Sequence, residues 1–232
     1  MSINNNLNNI RSRIKEAALR SGRKPEDIKL IGVSKRISND LIVEAVNSGL
    51  TDLGENYAQE FRDKYEILDK NPGEIIWHFI GHLQKNKIKY VIGKMSLFHS
   101  LNGEGLALEI NKKAESLGIH ADMLIEINTS GEESKTGITF EQSDSLLEYS
   151  SQLKNISVKG FMTMAPYFND PEDARPYFSK LREYRDSKIH DFPDAKELSM
   201  GMSGDFEVAV EEGATMVRVG TAIFGERSPR NF

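Results

Sequence analysis

The chain has 232 residues, a formal net charge of −5, 38% hydrophobic and 28% charged residues, so it can bury a full core and lacks the polar excess of a disordered chain. No apolar run is long enough to span a bilayer, and the polar N-terminus MSINNNLNNIRSRIKEA lacks the apolar centre of a signal peptide. The absence of cysteine excludes disulfides, thiolate catalysis and Cys-type metal sites; with the acidic balance, it reads as a cytoplasmic protein that binds neither nucleic acid nor membrane in general.

Residues 4–20 place Leu7, Ile10, Ile14, Ala17 and Ala18, with Leu19 at the edge, on one face of a helix that ends at Ser21 and Gly22. After Pro25, short apolar runs alternate with longer amphipathic segments. Eight runs, at 28–35, 52–55, 75–80, 97–101, 123–128, 158–164, 197–200 and 216–220, read as strands. Helices are predicted between them at 40–48, 58–68, 84–92, 104–117, 141–153, 171–187 and 206–212. Eight such units in one chain of this length predict an α/β fold, a single (β/α)8 TIM barrel over 1–232 with an extra N-terminal helix. The doubly wound open sheet is the alternative, but no GxGxxG follows the first strand and no GxxxxGK[ST] occurs.

In such a barrel, function gathers at the carboxyl ends of the strands. The first strand runs into IGVSKR at 31–36, which places Lys35 at or just past its end. A lysine partly desolvated there is a Schiff-base nucleophile, although a lysine at a strand end is more often simple surface. Lys135, in a glycine- and serine-rich loop that includes Ser134, is the rival. Asn56 either hydrogen-bonds a ligand or caps the following helix. Small and hydroxyl residues at Ser199-Met200-Gly201-Met202-Ser203 and Gly220-Thr221, each running into a helix, suit an anion such as phosphate. Arg218 lies within an alternating apolar strand, so it meets either a ligand acceptor or a carboxylate of the barrel, Glu55 or Glu126. His78 reads as a satisfied core residue or a general acid–base, and His78 with His82 makes no convincing metal pair. Lys85, Lys87, Lys89 and Lys94 read as a solvated face, and Trp77 and Met162 to Met164 as core.

IGVSKR at 31–36, GENYAQE at 54–60, WHFIGHLQKNK at 77–87, INTSGEESKTG at 127–137, GFMTMAP at 160–166 and the long stretch at 198–225 occur in the order found in one family. By these stretches the chain resembles the pyridoxal phosphate homeostasis proteins, also called proline synthase co-transcribed homologues. The resemblance implies a barrel like the N-terminal domain of alanine racemase, with pyridoxal 5′-phosphate (PLP) at its carboxyl face. It makes Lys35 the Schiff-base lysine, sets Arg218 against the pyridine nitrogen and Asn56 beside the ring, and gives the phosphate to Ser199, Met200, Ser203, Gly220 and Thr221. The tail at 227–232 lacks the tyrosine that often follows in the family.

A guanidinium against the pyridine nitrogen leaves PLP a weak electron sink. Racemases with that arrangement take a second acid–base residue from another domain, which this chain is not expected to have. The resemblance therefore implies a PLP carrier in vitamin B6 homeostasis, a monomer with PLP-dependent apoenzymes as recipients, and no efficient turnover. A one-domain amino-acid racemase and a cofactor-free Schiff-base aldolase on the same barrel are the alternatives.

Overall fold

The computed structural model describes residues 2–68, 75–132 and 135–225; Ser134 and the tail at 227–232 lie outside the described residues. Eight parallel strands close into a barrel in chain order: β1 Lys29–Val33, β2 Asp52–Glu55, β3 Ile76–Phe79, β4 Leu97–Leu101, β5 Ala121–Glu126, β6 Ile156–Met162, β7 Glu197–Ser199 and β8 Met216–Val219. The barrel closes where β1 pairs with β8, with Gly32 opposite Val219. The strands are short and, apart from β2 and β7, rich in branched or aromatic residues, so the barrel buries both of their faces and needs helices outside it.

Those helices are α1 Ile3–Arg20, α2 Asn39–Asn47, α3 Ala58–Leu68, α4 Ile88–Val91, α5 Glu104–Leu117, α6 Phe140–Ser151, α7 Arg175–Lys188, α8 Phe206–Glu211 and α9 Thr221–Phe224. The extra helix α1 begins at the side-chain cap of Ser2, whose Oγ accepts the Asn5 N–H at 3.3 Å. Its stripe from Ile3 to Ala18 is buried, whereas Leu19 is exposed and belongs to the outer face. Bidentate bonds from Arg13 to Glu207 tie α1 to α8.

The helix predicted over 84–92 is instead a 3₁₀ turn, Lys85–Lys87, followed by the single turn of α4. Like charges on Lys85 and Lys89, four residues apart, disfavour a longer regular helix. Three of the lysines there sit over rings, Lys87 and Lys89 5.8 and 5.1 Å from the Tyr90 centroid and Lys94 4.6 Å from that of Tyr65.

Two cores result. The larger lies between the strands and the helices and includes Phe61, Phe79, Phe98, Phe161, Phe178 and Phe206. The smaller, Ile31, Leu97, Leu124, Met162 and Met216, fills the barrel interior from the alternate positions of the same strands. Among the described residues, no helix is long and apolar enough to cross a membrane.

Candidate functional site

The turn after β1 is held from below. Ser34 N–H donates to Gly54 O at 3.0 Å and Ile37 N–H to Ser34 O at 3.0 Å. Arg36, between them, has φ +59°, a conformation costly for a residue with a side chain. Glu60 Oε1 compensates by accepting the Arg36 N–H at 2.5 Å. Beneath the turn, Lys64 Nζ donates to Ser34 O at 2.6 Å, Glu55 Oε1 at 2.7 Å and Glu60 Oε1 at 2.6 Å. The backbone on either side of Lys35 is therefore fixed, and Lys35 stands half-buried just past the strand, in the lining of a cavity of about 560 Å³.

Asn56 lines the same cavity. Its Oδ1 is buried and has no hydrogen-bond partner, so it does not cap α3, where Tyr57 O instead receives the Phe61 N–H at 2.9 Å. Gly81 permits this placement. A Cβ at residue 81 would lie 2.3 Å from Asn56 O and 2.7 Å from its Cα, atoms of the backbone that cannot swing away. Gly81→Ala is expected to displace Asn56 and cost about 2 kcal/mol, as overpacking does. Thermal unfolding should show a Tm lower by about 6 °C.

Arg218 is buried and reaches the floor of the cavity. The ion pair with Glu55 or Glu126 is not found: Glu55 is paired with Lys64, and Glu126 Oε1 accepts the Thr136 hydroxyl. Arg218 instead donates from Nη1 to Ser199 Oγ at 2.6 Å and from Nη2 to Thr163 O at 2.9 Å, which commits two of its five N–H donors. Burial brings its pKa down to about 10, opposed by Asp205 and Glu126 at longer range, so it remains a cation at neutral pH.

At the ends of β7 and β8 the structure sorts the predicted anion contacts. Ser203, Gly220 and Thr221 line the cavity, and Gly220 N–H donates to Ser203 Oγ at 3.3 Å. Ser199 and Met200, expected beside them, are not among the residues that line it. The Ser199 hydroxyl is fully buried between Arg218 and His99; the Met200 side chain belongs to the core, and its N–H is used on Met216 O at 3.1 Å. The helices that follow, α8 and α9, have six and four residues, too short for a large dipole.

Two further residues differ from expectation. Lys135 is half-buried and lines the same cavity as Lys35 rather than standing in a wet loop. Met162 and Thr163 are core, but Met164 is partly exposed at the cavity wall with Tyr167 and Phe168. Tyr167, Phe168 and Asp205 had no sequence signal beyond their place in strand-end loops.

His78 lies inside the barrel, with Nε2 3.0 Å from Asp52 Oδ1 and Nδ1 3.0 Å from His99 Nε2, whereas His82 meets Asn102. Burial, with smaller contributions from nearby positive groups, pushes both imidazoles below the usual 6.5, His99 the further; Asp52 opposes this at His78. The unfolded chain therefore takes up protons at these residues as pH falls through about 6.5 while the folded chain does not, so stability falls on acidification by up to about 1.4 kcal/mol per pH unit per histidine. Burial raises Glu55 and Glu126, which act in the opposite sense. Urea unfolding should give a lower midpoint at pH 5.5 than at pH 7.5, with a smaller difference in His99→Asn.

Residues 3–228 match the family model for the alanine racemase N-terminal domain. The chain is 50% identical over 222 residues to the pyridoxal phosphate homeostasis protein of Aquifex aeolicus, covering 95% of this chain and 96% of the relative. The chain belongs to the pyridoxal phosphate homeostasis protein family. Another member, from Escherichia coli K12, is 37% identical over 97% of both chains. Among solved structures, a family member from Synechococcus elongatus, PipY with PLP bound, has TM-score 0.81 and 32% identity over 93% of this chain and 100% of its own. A protein from Bifidobacterium adolescentis superposes with TM-score 0.88 and 34% identity over 96% and 94%. D-threonine aldolase of Filomicrobium marinum, at 12% identity and TM-score 0.72, shares only the fold.

Proposed function

We propose that this chain binds PLP at the carboxyl end of its barrel, holds it as a Schiff base on Lys35, and serves PLP homeostasis as a carrier without efficient turnover. One observation carries the reading: Lys35, Arg218 and Asn56 line one cavity of about 560 Å³, within the usual range for a cofactor pocket, and the Asn56 Oδ1 has no hydrogen-bond partner of its own. The pyridoxal phosphate named in the relatives, and the PLP bound in the S. elongatus structure, supply the ligand that this chemistry fits.

The lining residues divide the work. Lys35 supplies the amine and Asn56 an acceptor for a ring hydroxyl. Ser203, Gly220 and Thr221 offer hydroxyl and backbone donors to the phosphate. Arg218, a fixed cation, would take the pyridine nitrogen. Bound PLP supplies an aldehyde for reversible capture by an amine and, where its nitrogen is protonated, an electron sink. A guanidinium at that nitrogen keeps the proton off and the sink weak, which suits storage and release better than turnover. The barrel then acts as one domain and as a monomer, with PLP-dependent apoenzymes as recipients.

The test is the visible spectrum and intact mass of the purified protein incubated with PLP, before and after borohydride. A yellow protein that gains one reduced phosphopyridoxyl group, mapped to Lys35, is the expected result. A protein that stays colourless and unlabelled would overturn the reading, and turnover of L-alanine to D-alanine at enzymatic rates would replace the carrier with a racemase.

A further inference from the structure

A chain of hydrogen-bonded side chains crosses the barrel interior and joins a cavity at each end. At the amino end, Lys29 Nζ lies 3.0 Å from Asp52 Oδ1, and both residues line a second cavity of about 660 Å³. From Asp52 the chain passes to His78 (3.0 Å), His99 (3.0 Å), Ser199 Oγ (2.9 Å) and Arg218 Nη1 (2.6 Å), which lines the cavity at the carboxyl end. His78, His99 and Ser199 are each at most 1% exposed, and the contacts between them are direct.

The two ends impose one proton order on everything between them. The Asp52 carboxylate only accepts, so His78 Nε2 carries its proton and donates. Neutral His78 then has a bare Nδ1, which must accept from His99 Nε2–H. His99 Nδ1 is in turn bare and accepts the Ser199 proton. The Ser199 oxygen keeps only lone pairs for Arg218, which itself can only donate. A proton on His78 Nδ1 would set two donors face to face, a proton moved to His99 Nδ1 would set two bare acceptors, His99 Nε2 and His78 Nδ1, face to face, and a second proton on His99 would deprive the Ser199 hydroxyl of its acceptor. The bonds all point from Arg218 towards Asp52, the arrangement in which each polarises the next.

We propose that Asp52, His78 and His99 are positioning residues for Arg218: they hold Ser199 as a pure acceptor, which fixes the guanidinium plane and presents its uncommitted N–H donors to the cavity. The proposal rests on the PLP reading above and assigns these three residues a part in it. None of them touches the cavity at the carboxyl end; their effect passes through Ser199.

The first measurement needs no cofactor. Nitrogen-15 NMR of the unloaded protein should show His78 and His99 both neutral with the proton on Nε2 between pH 6 and 8. A proton on Nδ1 of either ring, or titration of either near pH 6.5, would overturn the proposal. The second measurement is PLP affinity and the pH dependence of the visible band. His99→Leu, which removes the acceptor for Ser199, should weaken PLP binding about tenfold, the scale of one hydrogen bond to a charged group. His99→Asn, whose amide oxygen can stand near the lost Nδ1, should recover most of that loss, and Asp52→Ala, at the far end of the barrel, should shift the band's pH profile. Should His99→Leu not fold, Ser199→Ala removes the same bond with the loss of one atom. Wild-type affinity and pH profile in folded His99→Leu or Ser199→Ala would overturn the proposal. A wild-type protein that takes up no PLP would overturn the cofactor reading instead, and the imidazole tautomers would still decide the proton order.

Discussion

Lys35→Ala is expected to abolish both the yellow colour and the borohydride-fixed mass gain while the barrel stays folded. Folding is expected to be retained because the turn is held by the backbone of Ser34, Arg36 and Ile37 and by Lys64. What remains for PLP is the non-covalent part: Arg218, Asn56 and the donors of Ser203, Gly220 and Thr221. Affinity should fall by roughly two orders of magnitude, about 2.7 kcal/mol. Lys135 makes the experiment sharp, since it lines the same cavity and could be trapped by borohydride. Lys135→Ala should keep the label at full stoichiometry. Loss of the label in Lys135→Ala, with retention in Lys35→Ala, would move the Schiff base to the other lysine.

Lys64→Met should be the most destabilising single change near the site. Lys64 is buried, and its ammonium is the cation against Glu55, a carboxylate with no exposed surface and a second oxygen without any partner. Removing the amine leaves that charge buried and uncompensated, a loss of about 3–5 kcal/mol. A Tm lower by about 10 °C corresponds to it in a chain of this size. Burial already raises the Glu55 pKa, and loss of Lys64 raises it further. The folded variant then holds a proton that the unfolded chain releases as pH rises, so its deficit relative to wild type should be larger at pH 8 than at pH 5.5. Glu55→Gln in the same variant should recover part of the stability by removing the buried charge. The Ser34 carbonyl also loses one of its two donors and keeps only the Ile37 N–H, so the variant should label more slowly at Lys35.

The barrel was legible because burial on two sides imposes a pattern along the chain. Eight apolar runs separated by amphipathic segments can close only a few ways, and the runs at 52–55 and 97–101 coincide with β2 and β4 to the residue. Lys35, Asn56, Ser203, Arg218, Gly220 and Thr221 were legible because strand-end position follows from that same pattern, and the structure brings all six to one cavity. Where one residue decides between facing the cavity and facing the core, the sequence could not choose: Ser199 and Met200 lie beside Gly201 in a run of small and apolar residues, and only the pairing of Met200 N–H with Met216 O turns them inward.

The sequence by itself determined the fold class and the strand-end positions of the candidate residues, Lys35 among them, which depend on periodicity and local order. Only the tertiary structure decided which polar residues meet. Asp52, His78, His99, Ser199 and Arg218 come from five different strands, and Glu55 and Lys64 meet beneath a turn that neither belongs to. Such contacts depend on the register between strands and the direction of each side chain, quantities fixed by closure of the barrel and written in no local stretch of the chain.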